Sequence, residues 1–127
     1  MLSASVNDYT ARVAVYLNDP GGGGSASYTR QTVPATGASG ARSAVAADVD
    51  GDQDADVLVA ATTLDAVLWY EQSAPATYTE HVISTTADTA WSVFGFDMTG
   101  DGALDVLSAS STDDKVAVYL NGGDGSS

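Results

Sequence analysis

Short runs rich in Val, Leu, Tyr, Trp and Thr alternate along the chain with clusters of Gly, Asp, Ser and Pro. Runs of that kind, bounded by turn formers, predict β-strands. Four fall in succession: Ser43 to Asp48, Asp56 to Ala61, Ala66 to Glu71, and Tyr78 to Ile83. No stretch carries an apolar helical period with caps, so no helix is expected.

The same pattern returns forty-nine residues later. Asp48, Gly51, Asp52, Asp56 and Leu58 match Asp97, Gly100, Asp101, Asp105 and Leu107, and the match runs without a gap to Val67 over Val116 and Tyr70 over Tyr119. A third copy stands at the start. Leu2-Ser-Ala-Ser5 resembles Leu107-Ser-Ala-Ser110, and Val13-Ala-Val-Tyr-Leu-Asn18 is identical to Val116-Ala-Val-Tyr-Leu-Asn121. Tyr28 to Val33 then aligns with Tyr78 to Ile83.

Four short strands in a repeat of about 40–50 residues predict an all-β fold of propeller blades, each of four antiparallel strands. Residues 1–36 read as a partial blade, 37–85 as a full one and 86–127 as another partial one, about two and a half in all. A propeller ring takes about 4–8 blades. The expected partner is therefore a further copy that completes a ring, or the rest of a longer propeller.

Composition narrows what such a module binds. Apolar residues make up 44 % of the chain, enough for a core, and the net charge is -13. With 17 acidic residues and only Arg12, Arg30, Arg42 and Lys115 opposing them, there is no cationic patch for a nucleic acid or an anionic membrane. Cysteine is absent, which rules out disulfides and thiolate metal sites. The N-terminus lacks a charged-then-apolar leader, and no apolar run is long enough to span a bilayer.

The acids concentrate in two windows, and crowded carboxylates repel unless a cation lies among them. Asp48, Asp50, Asp52 and Asp56 occupy positions one, three, five and nine of a tight loop, with the Asp54 carbonyl at position seven. That is a hard-oxygen set suited to Ca²⁺, which takes about 6–8 oxygens. Asp97, Thr99, Asp101 and Asp105, with the Ala103 carbonyl, repeat it. Thr99 contributes a neutral oxygen, so weaker binding is expected there. An EF-hand needs Gly at position six and a bidentate Glu at twelve, but position twelve is Val59 in one loop and Ser108 in the other. The competing explanation is an acidic turn whose aspartates bond their own backbone.

These loops resemble the FG-GAP or VCBS repeats of integrin-α-like β-propellers. Ala47-Asp-Val-Asp-Gly-Asp-Gln-Asp-Ala-Asp-Val-Leu-Val59 and Phe96-Asp-Met-Thr-Gly-Asp-Gly-Ala-Leu-Asp-Val-Leu107 carry the resemblance, with Trp69 to Gln72 and Val118 to Asn121 as the strands that follow. The resemblance implies a loop joining the first two strands of a blade and binding calcium structurally. It also implies an adhesion or ligand-binding role at a cell surface or outside the cell. Gln53 departs from the usual second Gly, and Thr99 from an acid or Asn. Val59-Ala-Ala61 and Ser108-Ala-Ser110 only approximate the Gly-Ala-Pro element.

No catalytic constellation accompanies the loops. His81 is the only histidine, in a fourth, edge strand, and no serine stands in a nucleophile elbow. Carboxylate pairs that recur in every repeat do not suggest glycosidase chemistry. Asp113-Asp114 reads as a solvated hairpin turn, and Gly21 to Gly24 as a flexible outer loop. Tyr16, Tyr70 and Tyr119 stand at the equivalent third-strand position and recur by repeat, as packing residues do; Trp69 precedes Tyr70. Trp91, just ahead of an expected first strand, does not recur; it is the candidate stacking residue of an alternative reading, a propeller-type lectin.

Overall fold

The computed structural model describes residues 2–5, 12–19, 27–34 and 38–122. Gly21 to Gly24 lie outside them. The described part contains three antiparallel sheets that follow one another along the chain. The first is β1 (Leu2–Ser5), β2 (Arg12–Asp19) and β3 (Ser27–Val33); the second is β4 (Ala41–Ala47), β5 (Asp56–Ala61), β6 (Ala66–Ala74) and β7 (Thr77–Ser84). β8 (Ala90–Phe96), β9 (Asp105–Ser110) and β10 (Lys115–Tyr119) form the third. In each sheet, strands adjacent in sequence are adjacent in space, the arrangement that short turns permit.

The second sheet lies between the other two, and its sequence shows why. β5 is buried at all six positions, and a strand covered on both faces needs a continuous apolar run, which Val57 to Ala61 supplies. One face puts Val57, Val59, Leu68 and Tyr70 against Val13 and Val33 of the first sheet. The other puts Leu58, Ala60 and Val67 against Val93 and Val106 of the third. Full burial of each such side chain stabilises the fold by about 1.5–3 kcal/mol. The period of two therefore sorts alternate residues of β5 into two different cores.

Close approach of β8 depends on Gly95. A Cβ there would stand 3.3 Å from Leu58 Cδ1 and 3.5 Å from the Ala47 Cβ. The equivalent residue one repeat earlier is Ala46.

The strands run close to their expected bounds, although β4 begins two residues before Ser43 and β6 runs three residues past Glu71. β8 begins earlier than expected and takes in Trp91, which sits at a bulge where the register shifts between Ala90 and Ser92. β4 has the same bulge between Ala41 and Ser43, at Arg42. An extra residue on the bulged strand turns its side chain out of the regular alternation. The Arg42 guanidinium then lies 3.4 Å from the centre of the Trp91 ring, a cation–π contact.

Candidate metal centre

The loop between β4 and β5 folds around its own aspartates. Asp48 Oδ1 accepts from Gly51 N at 2.8 Å and its Oδ2 from Gln53 N at 3.2 Å. Asp50 Oδ1 accepts from Asp52 N at 3.1 Å, and Asp52 Oδ1 from Asp54 N at 2.8 Å. These Asx bonds curl the backbone inward, and Gly51 (φ 82°) and Gln53 (φ 74°) turn it through the left-handed region.

Asp56 plays a different part. It is fully buried at the start of β5. Its Oδ2 accepts from Val49 N at 3.0 Å and its Oδ1 from Gln72 N at 2.8 Å. One carboxylate thus ties the loop to the far end of β6. Burial raises its pKa above the ordinary carboxylate value, against those two N–H donors. Trp69 Nε1, buried and without a well-formed hydrogen bond, also favours the Asp56 anion.

One oxygen each from Asp48, Asp50 and Asp56 lie within 4.8 Å of one another. Three carboxylate oxygens that close repel when all are ionised. The Asp50 pKa is raised, first by loss of hydration and further by the charges of Asp56, Asp52 and Glu71. A divalent cation offsets that repulsion, and the donors are the hard oxygens that Ca²⁺ takes. The residues present therefore fit the ion. Asp52 and Asp54 stand outside the three-carboxylate group, exposed on the loop.

The loop between β8 and β9 has the same frame with fewer charges. Asp97 Oδ1 accepts from Gly100 N and Asp101 N, and its Oδ2 from Gly102 N at 2.9 Å. These bonds, Gly102 foremost, hold the Asp97 pKa below the ordinary value. Asp101 Oδ1 accepts from Ala103 N at 2.9 Å. Asp105 is fully buried and repeats the tie of Asp56: its Oδ2 accepts from Met98 N and its Oδ1 from Asn121 N, both at 2.8 Å. Among the described residues only the first loop gathers three acids. Thr99 occupies the place of Asp50.

The two loops face each other. Asp48, Asp50, Gly51, Asp101, Gly102 and Asn121 line a cleft between them. The Asn121 amide bridges them, donating to Val49 O at 3.0 Å and to Leu104 O at 3.3 Å. Sequence reasoning missed this residue. The available signal was its place in the repeat, where it aligns with Gln72, the residue that bonds Asp56.

Away from the loops, His81 stacks on Trp69 with ring centroids 4.4 Å apart, and its Nε2 lies 2.7 Å from Glu71 Oε2. Asp113 accepts from Ser110 Oγ at 2.6 Å and pairs with Lys115 at 3.1 Å, which holds its pKa low. Trp91 stands 48 % exposed, with Arg42 on its ring.

A sequence family model described as an FG-GAP-like repeat matches residues 1–59 and again 48–108. No curated protein and no solved structure matches the chain significantly.

Proposed function

The chain belongs to the FG-GAP-like repeat family, and from that premise we propose that it is a calcium-binding β-propeller repeat module without enzymatic activity. The observation that carries this reading is the convergence of Asp48, Asp50 and Asp56 within 4.8 Å. Asp52 and the Asp54 carbonyl complete the first set of ligands. Asp97, Thr99, Asp101, Asp105 and the Ala103 carbonyl form a second, weaker one.

The role of the ion is structural. Asp56 already fastens the loop to β6 through two N–H donors, so neutralising its neighbours stiffens the joint between the first three strands of the sheet. The sheets are blades, divided at 1–36, 37–85 and 86–127, and their loops present a surface for adhesion or ligand binding at a cell surface or outside the cell. The lectin alternative has one observation in its favour, the half-exposed indole of Trp91; a glycan array on the calcium-loaded protein tests it.

Calorimetric titration of chelator-treated protein with CaCl₂ tests the metal claim. The expected result is saturable binding with a tighter and a weaker site. Asp50→Asn should abolish the tighter one, and Asp101→Asn the weaker. No heat above the dilution blank, or binding that survives Asp50→Asn unchanged, would sink the reading.

A further inference from the structure

The chain has three asparagines, and the residue after each sets one of them apart. Asn7 and Asn18 precede Asp, whereas Asn121 precedes Gly122. An asparagine loses its amide without an enzyme when the backbone nitrogen of the next residue, deprotonated, attacks the side-chain carbon Cγ. A bond forms between that nitrogen and Cγ, the bond from Cγ to Nδ2 breaks, and ammonia leaves a cyclic succinimide behind. Water then opens the ring at either carbonyl, giving aspartate or isoaspartate. The net exchange takes up one water and releases one ammonia, with no change of oxidation state. Ring closure is easiest before glycine, which has no Cβ to shield its nitrogen. Gly122 is also exposed, just past the end of β10.

The nitrogen that would depart is the one that joins the two loops. Asn121 Nδ2 donates to Val49 O at 3.0 Å and to Leu104 O at 3.3 Å. The backbone N of the same residue donates to the buried Asp105 carboxylate at 2.8 Å. Attack on Cγ takes Nδ2 out of the amide plane, so both of its bonds must give before the ring can close. While the loops stay together, the amide is held against the reaction.

The product cannot remake the joint. In aspartate an ionised oxygen, which only accepts, would replace the donor opposite two carbonyl oxygens. In isoaspartate the main chain itself runs through Cβ and Cγ, and nothing succeeds the amide. Either acid adds a negative charge to the cleft lined by Asp48, Asp50 and Asp101, where like charges repel. The same repeat position holds Asn18 in the first sheet and Gln72 in the second. Asn18 stands before Asp19, and Gln72 would have to close a larger ring, so neither shares the chemistry.

We propose that Asn121 is a deamidation site gated by the joint between the two acidic loops, and that its conversion releases that joint irreversibly. The rate then follows how often the loops part, a local opening of the fold. The device is a slow timer: an intact joint protects the amide, and each opening exposes it to loss. The inference does not rest on calcium binding.

Peptide mapping by mass spectrometry, with enzymatic methylation to mark isoaspartate, tests it on the 127-residue chain. The chain is incubated at mildly alkaline pH, folded and in guanidinium chloride. In denaturant, conversion at Asn121 should far exceed that at Asn18. In the folded protein it should be about tenfold slower or more, since two hydrogen bonds must break first. Gly122→Ala should slow the conversion in denaturant and leave the circular dichroism spectrum of the folded protein unchanged. Asn121→Asp should lower the denaturation midpoint further than Asn121→Ala, which removes the donor without adding a charge. An amide that stays intact in denaturant, equal rates in the folded and unfolded chain, or an Asn121→Asp variant as stable as the wild type overturns the proposal.

Discussion

Gln53 shows how much a single position of a repeat can cost. It holds φ at 74° where its counterpart Gly102 holds 92°, and an L side chain in that region is disfavoured by about 1–2 kcal/mol. Its N–H still donates to Asp48 Oδ2, a bond that glycine would keep. Gln53→Gly should therefore stabilise the protein, by about 0.5–1 kcal/mol after the added freedom of the unfolded chain. The check is chemical denaturation, and a lower midpoint would contradict the assignment. The aspartates were legible one by one from their spacing. That spacing did not reveal their division of labour. Asp56 and Asp105 are fully buried anchors, whereas Asp52 and Asp54 are exposed, and no rule of alternation separates the two kinds.

The strands of the second sheet were readable because their apolar runs end at turn residues. β5 matched its expected bounds, Asp56 to Ala61. β8 was less legible: a bulge breaks the alternation at Trp91, and a Gly sits where a strand residue is expected. Gly95 owes its place to packing, since its φ is not positive and only the nearness of Leu58 and Ala47 limits it. Gly95→Val should wedge the third sheet from the second and cost about 1–3 kcal/mol, the range for overpacking. The equivalent change, Ala46→Val, makes a control for strand propensity. If Gly95→Val stabilises the protein, as β propensity alone predicts, the close packing is not limiting.

At the scale of the molecule, charge decides how stability responds to pH. Asp50 and Asp56 have raised pKa values. Their ionisation therefore favours the unfolded chain: stability is full below the ordinary carboxylate pKa and is lost as pH rises through the raised values. Self-repulsion at a net charge of -13 acts in the same direction. Asp97 and Asp113, with lowered values, oppose it only once pH falls below the ordinary carboxylate range. In chelator, the melting temperature should rise as pH is lowered through the raised values of Asp50 and Asp56 toward the ordinary carboxylate value. In saturating calcium, which binds the ionised loop, it should be higher at pH 7 and fall on acidification. A thermal-shift series with EDTA and with CaCl₂ reads both slopes, and equal slopes would mean that no cation relieves these carboxylates.

The sequence by itself determined the repeat, the strands and the place of the two acidic loops, because these depend on local spacing: a period of two for strands, glycines and aspartates for turns. It did not determine which copy of a repeated surface is covered. Val13 of the shared hexapeptide is buried in β2, whereas its equivalent Val116 is exposed in β10. Nor did it show Asn121 joining loops that are far apart in the chain, or Arg42 lying on Trp91. Those contacts arise between sheets, where the stacking order of whole elements sets the neighbours and nothing along the chain encodes the distance.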